Sequence, residues 1–147
     1  MFKNILVPTD GTKLSMKAID MALNLAQETG AALTIMTAIP PCPVTPAGDG
    51  YVLEPVSGEA WIRVMKKNAD RILAGAAKRT RGRKANVTYL AVDDSLAHEA
   101  VINTARKRKC DLIVMSSHGR GSLSALFLGS ETMKVLSHSK LPVLVCR

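Results

Sequence analysis

The sequence predicts an α/β fold: a five-stranded parallel sheet with helices on both faces. Three observations carry this. Five short apolar or β-prone runs alternate with four stretches whose apolar residues recur every three or four positions, the pattern of a doubly wound sheet joined by right-handed crossovers. The run Leu112-Ile113-Val114-Met115 has no polar interruption, as expected of a strand covered on both faces. A length of 147 residues with 47% hydrophobic content suits a single domain spanning residues 1–147 with one buried core.

Taken in order, Ile5-Leu6-Val7 reads as a buried strand ended by Pro8. Thr9-Asp10-Gly11-Thr12 then supplies a turn and a helix cap. Leu14, Ala18, Met21, Ala22 and Leu25 give the following helix one apolar face, and Gly30 stops it. Residues 31–39 form a second strand, β-prone at Thr34, Ile35 and Thr37 and closed by Pro40-Pro41. Residues 40–58 hold five prolines and three glycines, too irregular for strand or helix. That long surface loop leaves the C-terminal end of a strand, where ligands collect in open α/β sheets.

Trp61, Met65, Ala69, Ile72 and Ala76 mark a helix of about five turns, with Trp61 expected in the core or at an interface. Residues 87–92 form the third strand. Asp93-Asp94-Ser95 read as caps for the next helix, since acids at a helix start satisfy its N–H groups and dipole without any cation. Ala97, Val101, Thr104 and Ala105 are the buried stripe of that helix. The fourth strand leads into a stretch with Gly119, Gly121 and Gly129, and Ser130 is expected to N-cap a last helix patterned by Met133 and Leu136. Pro142 opens the fifth strand, Val143-Leu144-Val145-Cys146.

Composition excludes several classes. The apolar runs are too short to cross a bilayer, so a soluble, cytoplasmic protein is expected, with no membrane partner. Cys42, Cys110 and Cys146 are odd in number and far apart, which fits reduced thiols rather than a disulfide framework or a zinc site. The formal charge of +8 concentrates at Lys78-Arg79-Thr80-Arg81-Gly82-Arg83-Lys84 and Arg106-Lys107-Arg108-Lys109. Each cluster ends a predicted helix, where cations complement the dipole. Aromatic residues make up 3% and none interleaves with these clusters, so no specific nucleic-acid binding is expected, only weak attraction to polyanions.

The glycine-rich stretch after the fourth strand carries the chemistry. Glycines let backbone N–H groups approach an anion closely, and a helix start adds orphan donors with positive partial charge, so the arrangement reads as a phosphate cradle. Ser116-Ser117-His118-Gly119, nine further residues and then Gly129-Ser130 resemble the Gly-x-x-Gly-(x)9-Gly-Ser/Thr signature of nucleotide-binding universal stress proteins, with Ser116 in place of the first glycine. Val7-Pro8-Thr9-Asp10 and Leu141-Pro142-Val143-Leu144-Val145 extend the resemblance over nearly the whole chain.

The resemblance implies strand order 3-2-1-4-5 in a Rossmann-like, adenine nucleotide alpha hydrolase-like sheet, with Thr9-Asp10 and the turn from Ser116 to Gly119 facing one crevice at the topological switch point. It also implies an adenine nucleotide as ligand: ATP, or ADP or AMP, with Mg²⁺ where phosphates recruit it. Gly119, Gly129 and Ser130, followed by Glu131 and Thr132, would hold phosphates, and Arg120 would add charge. Asp10 would contact the ribose or Mg²⁺. Pro8, Ala38, Ile39 and Met115 would line the adenine slot, beside Thr9 and Ser116. Relatives more often carry a small or apolar residue at the position of Glu131, and a carboxylate directed inward would repel a triphosphate.

His118 reads as a polar loop residue of the site, since no nucleophile motif accompanies it. No Walker lysine is present, so turnover is expected to be at most slow ATP hydrolysis or self-phosphorylation. A ligand-dependent stress-response sensor or regulator fits better, with a non-binding interaction module of the same fold as the alternative. The apolar fifth strand would be an unprotected edge, and pairing of Pro142, Val143, Leu144, Val145 and Cys146 across a two-fold axis would make a homodimer.

Overall fold

The structure, a computed structural model, describes residues 1–42, 58–93, 96–119 and 128–147. Its elements are β1 (Asn4–Pro8), α1 (Lys13–Thr29), β2 (Ala32–Ile39), α2 (Gly58–Thr80), β3 (Asn86–Asp93), α3 (Ala97–Lys107), β4 (Leu112–Ser116), α4 (Ser130–His138) and β5 (Val143–Cys146). The strands form one parallel sheet in the order β3-β2-β1-β4-β5, as the resemblance implies. The centre of the proline-rich loop (43–57), the Asp94-Ser95 pair and residues 120–127, which include Arg120 and Gly121, lie outside the described residues.

Alternation along β1 sets the two layers. Ile5 and Val7 face a core closed by Ala18, Ile19, Ala22 and Leu23 of α1 and Ala76 of α2. Leu6 faces the other side, against Ala100, Val101 and Ala105 of α3 and Val135 of α4. The two helical layers therefore cover opposite faces of the central strands. β3, at one edge, is mostly exposed or half-buried and is not covered on both faces.

The helix ends show local sequence at work. Thr12 caps α1 by accepting from the Ser15 amide at 3.2 Å, and Gly30 ends it with φ of 72°, both as expected. The apolar faces are rotated from the predicted stripes. In α1 the buried set is Ser15, Ala18, Ile19, Ala22, Leu23 and Ala26, while Met21 is exposed. The cause is Ser15, whose hydroxyl pairs with the Thr9 hydroxyl at 2.9 Å and turns that side inward.

In α3, His98 is buried and Ala97 exposed. The N-cap is Leu96, with no side-chain bond, so the expected capping by Asp93 is not what the helix uses; Asp93 closes β3 instead. The N-cap of α4 is Gly129 rather than Ser130, which is the first helical residue. Thr132 and Val135 are the buried residues of α4, and Met133 and Leu136 are exposed, because the Thr132 hydroxyl donates to the Ser116 carbonyl at 3.0 Å and fixes the rotation of the helix. Trp61 is half-buried at the start of α2 rather than in the core, with its indole N–H on the Pro40 carbonyl at 3.2 Å. No described helix is long and apolar enough to cross a membrane.

Candidate functional site

The exits of β1 and β4 lie side by side where the chain reverses its direction of winding, and a cavity of about 510 Å³ opens there. That volume falls within the roughly 300–1,000 Å³ of small-molecule sites. Pro8, Thr9 and Asp10 enter it from β1, Ala38 from β2, and Met115 and Ser116 from β4. His118, Gly119, Gly129, Ser130, Glu131 and Thr132 complete most of the predicted set. Ile39 is not among the lining residues and is buried instead; its neighbours Thr37 and Met36 take part, as does Ala38. Arg120 lies outside the described residues.

Side chains that the sequence reading missed form the far wall: Ala97, His98 and Val101, from the first turns of α3, with Val135 of α4. The spacing of 97, 98 and 101 on one helical face was a readable signal. Its link to the crevice is a contact across 33 residues, from His98 to Glu131, that no local pattern announces.

The β1 exit is organised by Asp10. Its Oδ1 accepts from the Thr12 amide at 3.0 Å and the Thr12 hydroxyl at 2.7 Å, while the Thr9 amide donates to the Met36 carbonyl at 2.8 Å and ties the turn to β2. A Cβ on Gly119 would stand 2.5 Å from Asp10 Oδ2, so the two exits touch only because residue 119 has no side chain.

The two ends of the glycine stretch are pinned together. The Gly129 amide donates to the Ser117 carbonyl at 2.7 Å, the Ser117 amide donates to the Cys146 carbonyl at 2.7 Å, and a Cβ on Gly129 would press on the His118 Cα at 3.1 Å. The amide of Gly129 is therefore used internally and is not a phosphate donor, contrary to expectation. The first-turn amides of Ser130, Glu131 and Thr132 have no intrahelical acceptor, and α4 has no side-chain cap. Among the described residues, those N–H groups and the Ser130 hydroxyl are open to an anion. The hydroxyl of Thr132 is committed to Ser116, and His118 Nδ1 lies 3.1 Å from the Ser117 hydroxyl.

Glu131 does not reach into the cavity unbalanced. Its Oε2 accepts from the His98 amide at 2.9 Å and lies 3.1 Å from His98 Nδ1, and its Oε1 accepts from Lys134 at 2.9 Å. It thus caps the α3 start that Leu96 leaves bare. Burial opposes its charged form, but the hydrogen bonds from Lys134 and His98 outweigh that and hold the carboxyl below its ordinary range. Ser116 lines the cavity without filling it. Among the described residues no cluster of histidine, cysteine and acidic side chains could hold a metal by itself.

A sequence model of the family described as "Universal stress protein family" matches residues 1–147. The chain is 34% identical to the Thermus aquaticus "universal stress protein in QAH/OAS sulfhydrylase 3'region", with all of both chains covered. It is also 34% identical to the Bacillus subtilis universal stress protein YxiE, again with all of both covered. Among solved structures, a universal stress protein in complex with cAMP superposes with a TM-score of 0.71 at 28% identity, covering 99% of this chain and 97% of that one.

Proposed function

The chain belongs to the universal stress protein family, and on that premise we propose that it binds an adenine nucleotide, ATP with Mg²⁺, in the crevice between the exits of β1 and β4 and acts as a dimeric stress-response regulator. The observation that carries the reading is the pair Gly119 and Gly129. The missing Cβ of Gly119 lets the β4 exit meet Asp10, and that of Gly129 lets the α4 start close on His118, so both border one cavity with uncapped helix amides among its lining. The apolar surfaces of Pro8, Ala38, Met115 and Val101 suit the base, Asp10 the ribose or Mg²⁺, and the α4 start the phosphates. The cAMP complex of a relative supports an adenine nucleotide as the ligand class.

Titration calorimetry with ATP, ADP, AMP and cyclic AMP, with and without Mg²⁺, tests this. Binding should vanish in Gly129→Asp, whose side chain meets the His118 backbone, and persist in Lys84→Ala on the exposed segment ahead of β3. Absence of binding by all four nucleotides would leave an interaction module of the same fold. For assembly, β5 exposes Leu144 at the free edge of the sheet, and α4, which precedes it, exposes Met133 and Leu136. Sedimentation velocity should show a dimer that Leu144→Arg dissociates; a monomeric parent chain would rule that assembly out.

A further inference from the structure

The end of the sheet where the strands begin, opposite the crevice, gathers more than half of the chain's 20 lysines and arginines. Cations stand just ahead of four of the five strands: Lys3 before β1, Lys84 before β3, Lys109 before β4 and Lys140 before β5, all exposed. The α2 end adds Lys78, Arg79, Arg81 and Arg83, and the α3 end adds residues 106–108. The two groups belong to helices on opposite faces, so the rim wraps both sides of the sheet. Five strands spaced about 4.8 Å apart make it roughly 19 Å long.

Little at this end neutralises it. Among the described residues the ion pairs include one cation of the rim, Arg79 with Asp20; Arg83 meets the neutral Gln27 and Asn24, and Arg106 meets Asn103. Asp111, whose carboxylate accepts from the amides of Lys3 and Asn4, keeps its negative charge, and with Asp20 and Glu28 it sets three acids against the eleven cations named. A helix C-terminus carries about half a negative charge, which a single cation offsets, so these clusters exceed what capping requires.

One residue shows a cation kept at conformational expense. The Cys110 amide donates to the Ala105 carbonyl at 2.8 Å and the Lys109 amide to the Arg106 carbonyl at 3.1 Å, the helix stop in which the intervening residue is left-handed and normally glycine. Here it is Lys109, with φ of 53°.

We propose that this rim binds the phosphate backbone of double-stranded nucleic acid, without sequence preference. Single strands require aromatic faces for stacking; Tyr89 ties its hydroxyl to Thr80, and Trp61 belongs to the start of α2 at the other end. A bilayer surface favours apolar side chains beside the cations, and among the described residues this end exposes Met1 and the edge of Tyr89, too little apolar surface to insert. A duplex needs only charge, at about one per 1.7 Å of its axis.

Fluorescence anisotropy with labelled 20-base-pair DNA and RNA duplexes, each in two unrelated sequences, tests the proposal. Affinity should be equal for both sequences and fall with salt at a log–log slope of about −5, the signature of roughly six phosphate contacts. Lys107→Ala/Arg108→Ala/Lys109→Gly should flatten the slope by about 2.7. Lys109→Gly alone should flatten it by about 0.9 while raising the melting temperature, which excludes misfolding as the cause. The proposal is overturned by absence of duplex binding at 50 mM salt, by equal losses in Lys66→Ala/Lys67→Ala, or by capture on phosphatidylserine vesicles in place of duplex. It does not depend on the nucleotide reading.

Discussion

Gly119→Ala probes the contact that joins the two halves of the crevice. The added Cβ would lie 2.5 Å from Asp10 Oδ2 and 3.5 Å from its Cγ, so the carboxylate must turn away. Turning it breaks the bonds from Oδ1 to the Thr12 amide and hydroxyl, and Thr12 is the cap of α1. Hydrogen bonds to a charged acceptor contribute about 1.5–3 kcal/mol, and water restores part of that at a half-buried site, so the net loss is about 1–2 kcal/mol. In a chain of this size the melting temperature falls by about 3–6 °C. ATP affinity, read by calorimetry, falls at least about tenfold because Asp10 no longer faces the ligand. A double-mutant cycle checks the cause: in an Asp10→Ala background the glycine substitution should cost under about 0.5 kcal/mol. An equal cost in both backgrounds would refute the reasoning, as would unchanged ATP affinity in the single variant.

Glu131→Ala should destabilise the chain by about 1 kcal/mol at neutral pH through loss of the α3 cap. Because the folded carboxyl titrates below its ordinary 4.5, its contribution is fully present above that value and is lost as pH falls through the lower folded one, so urea melts of parent and variant should converge in acid. Removing Mg²⁺ with EDTA should weaken ATP binding about tenfold or more and AMP binding little. The described lining holds Asp10 and Glu131 and no lysine or arginine, and two unit charges roughly 6 Å apart at an effective dielectric near 40 repel by about 1.4 kcal/mol. Burial pushes the Cys110 thiol up to about 11, leaving about 0.1% thiolate at pH 8, so iodoacetamide should label the half-buried Cys42 first and Cys110 only in urea; rapid native labelling of Cys110 would contradict its burial.

The sheet was legible because its signals are local. Apolar runs, Pro8, the Thr12 cap and the Gly30 stop each act within a few residues, and the structure keeps all of them. The strand order came through the resemblance carried by Val7-Pro8-Thr9-Asp10 and the Gly119 to Ser130 spacing, since periodicity cannot rank parallel strands. What stayed hidden depends on distant partners. Ser15 is polar by composition and buried by position, because Thr9 supplies its hydrogen bond. Glu131 reads as a repulsive charge until the His98 amide, on another helix, is seen to need it. Gly129 reads as a phosphate donor until its amide is found on the Ser117 carbonyl. Lys109 follows α3 in a conformation usual for glycine without being glycine, so the basic cluster Arg106 to Lys109 marked that boundary where no glycine did.

Helix polarity gives the two ends of the sheet opposite partial charges. In a parallel sheet every crossover helix starts near the strand exits and ends near the strand entries, so the crevice receives positive partial charge from the α3 and α4 starts, and among the described lining residues there is no lysine or arginine. Glu131 consumes the α3 start, and the first turn of α4 remains for a ligand. The opposite end receives negative partial charge and a surplus of lysine and arginine. A central strand of five residues separates the two ends by about 17 Å, roughly twice the Debye length at physiological salt, so direct electrostatic coupling between them is weak. Communication between a nucleotide and the basic rim would have to be mechanical, and α3 is the element placed to carry it. His98 in its first turn lines the crevice and bonds Glu131, while Arg106 and Lys107 in its last turn belong to the rim.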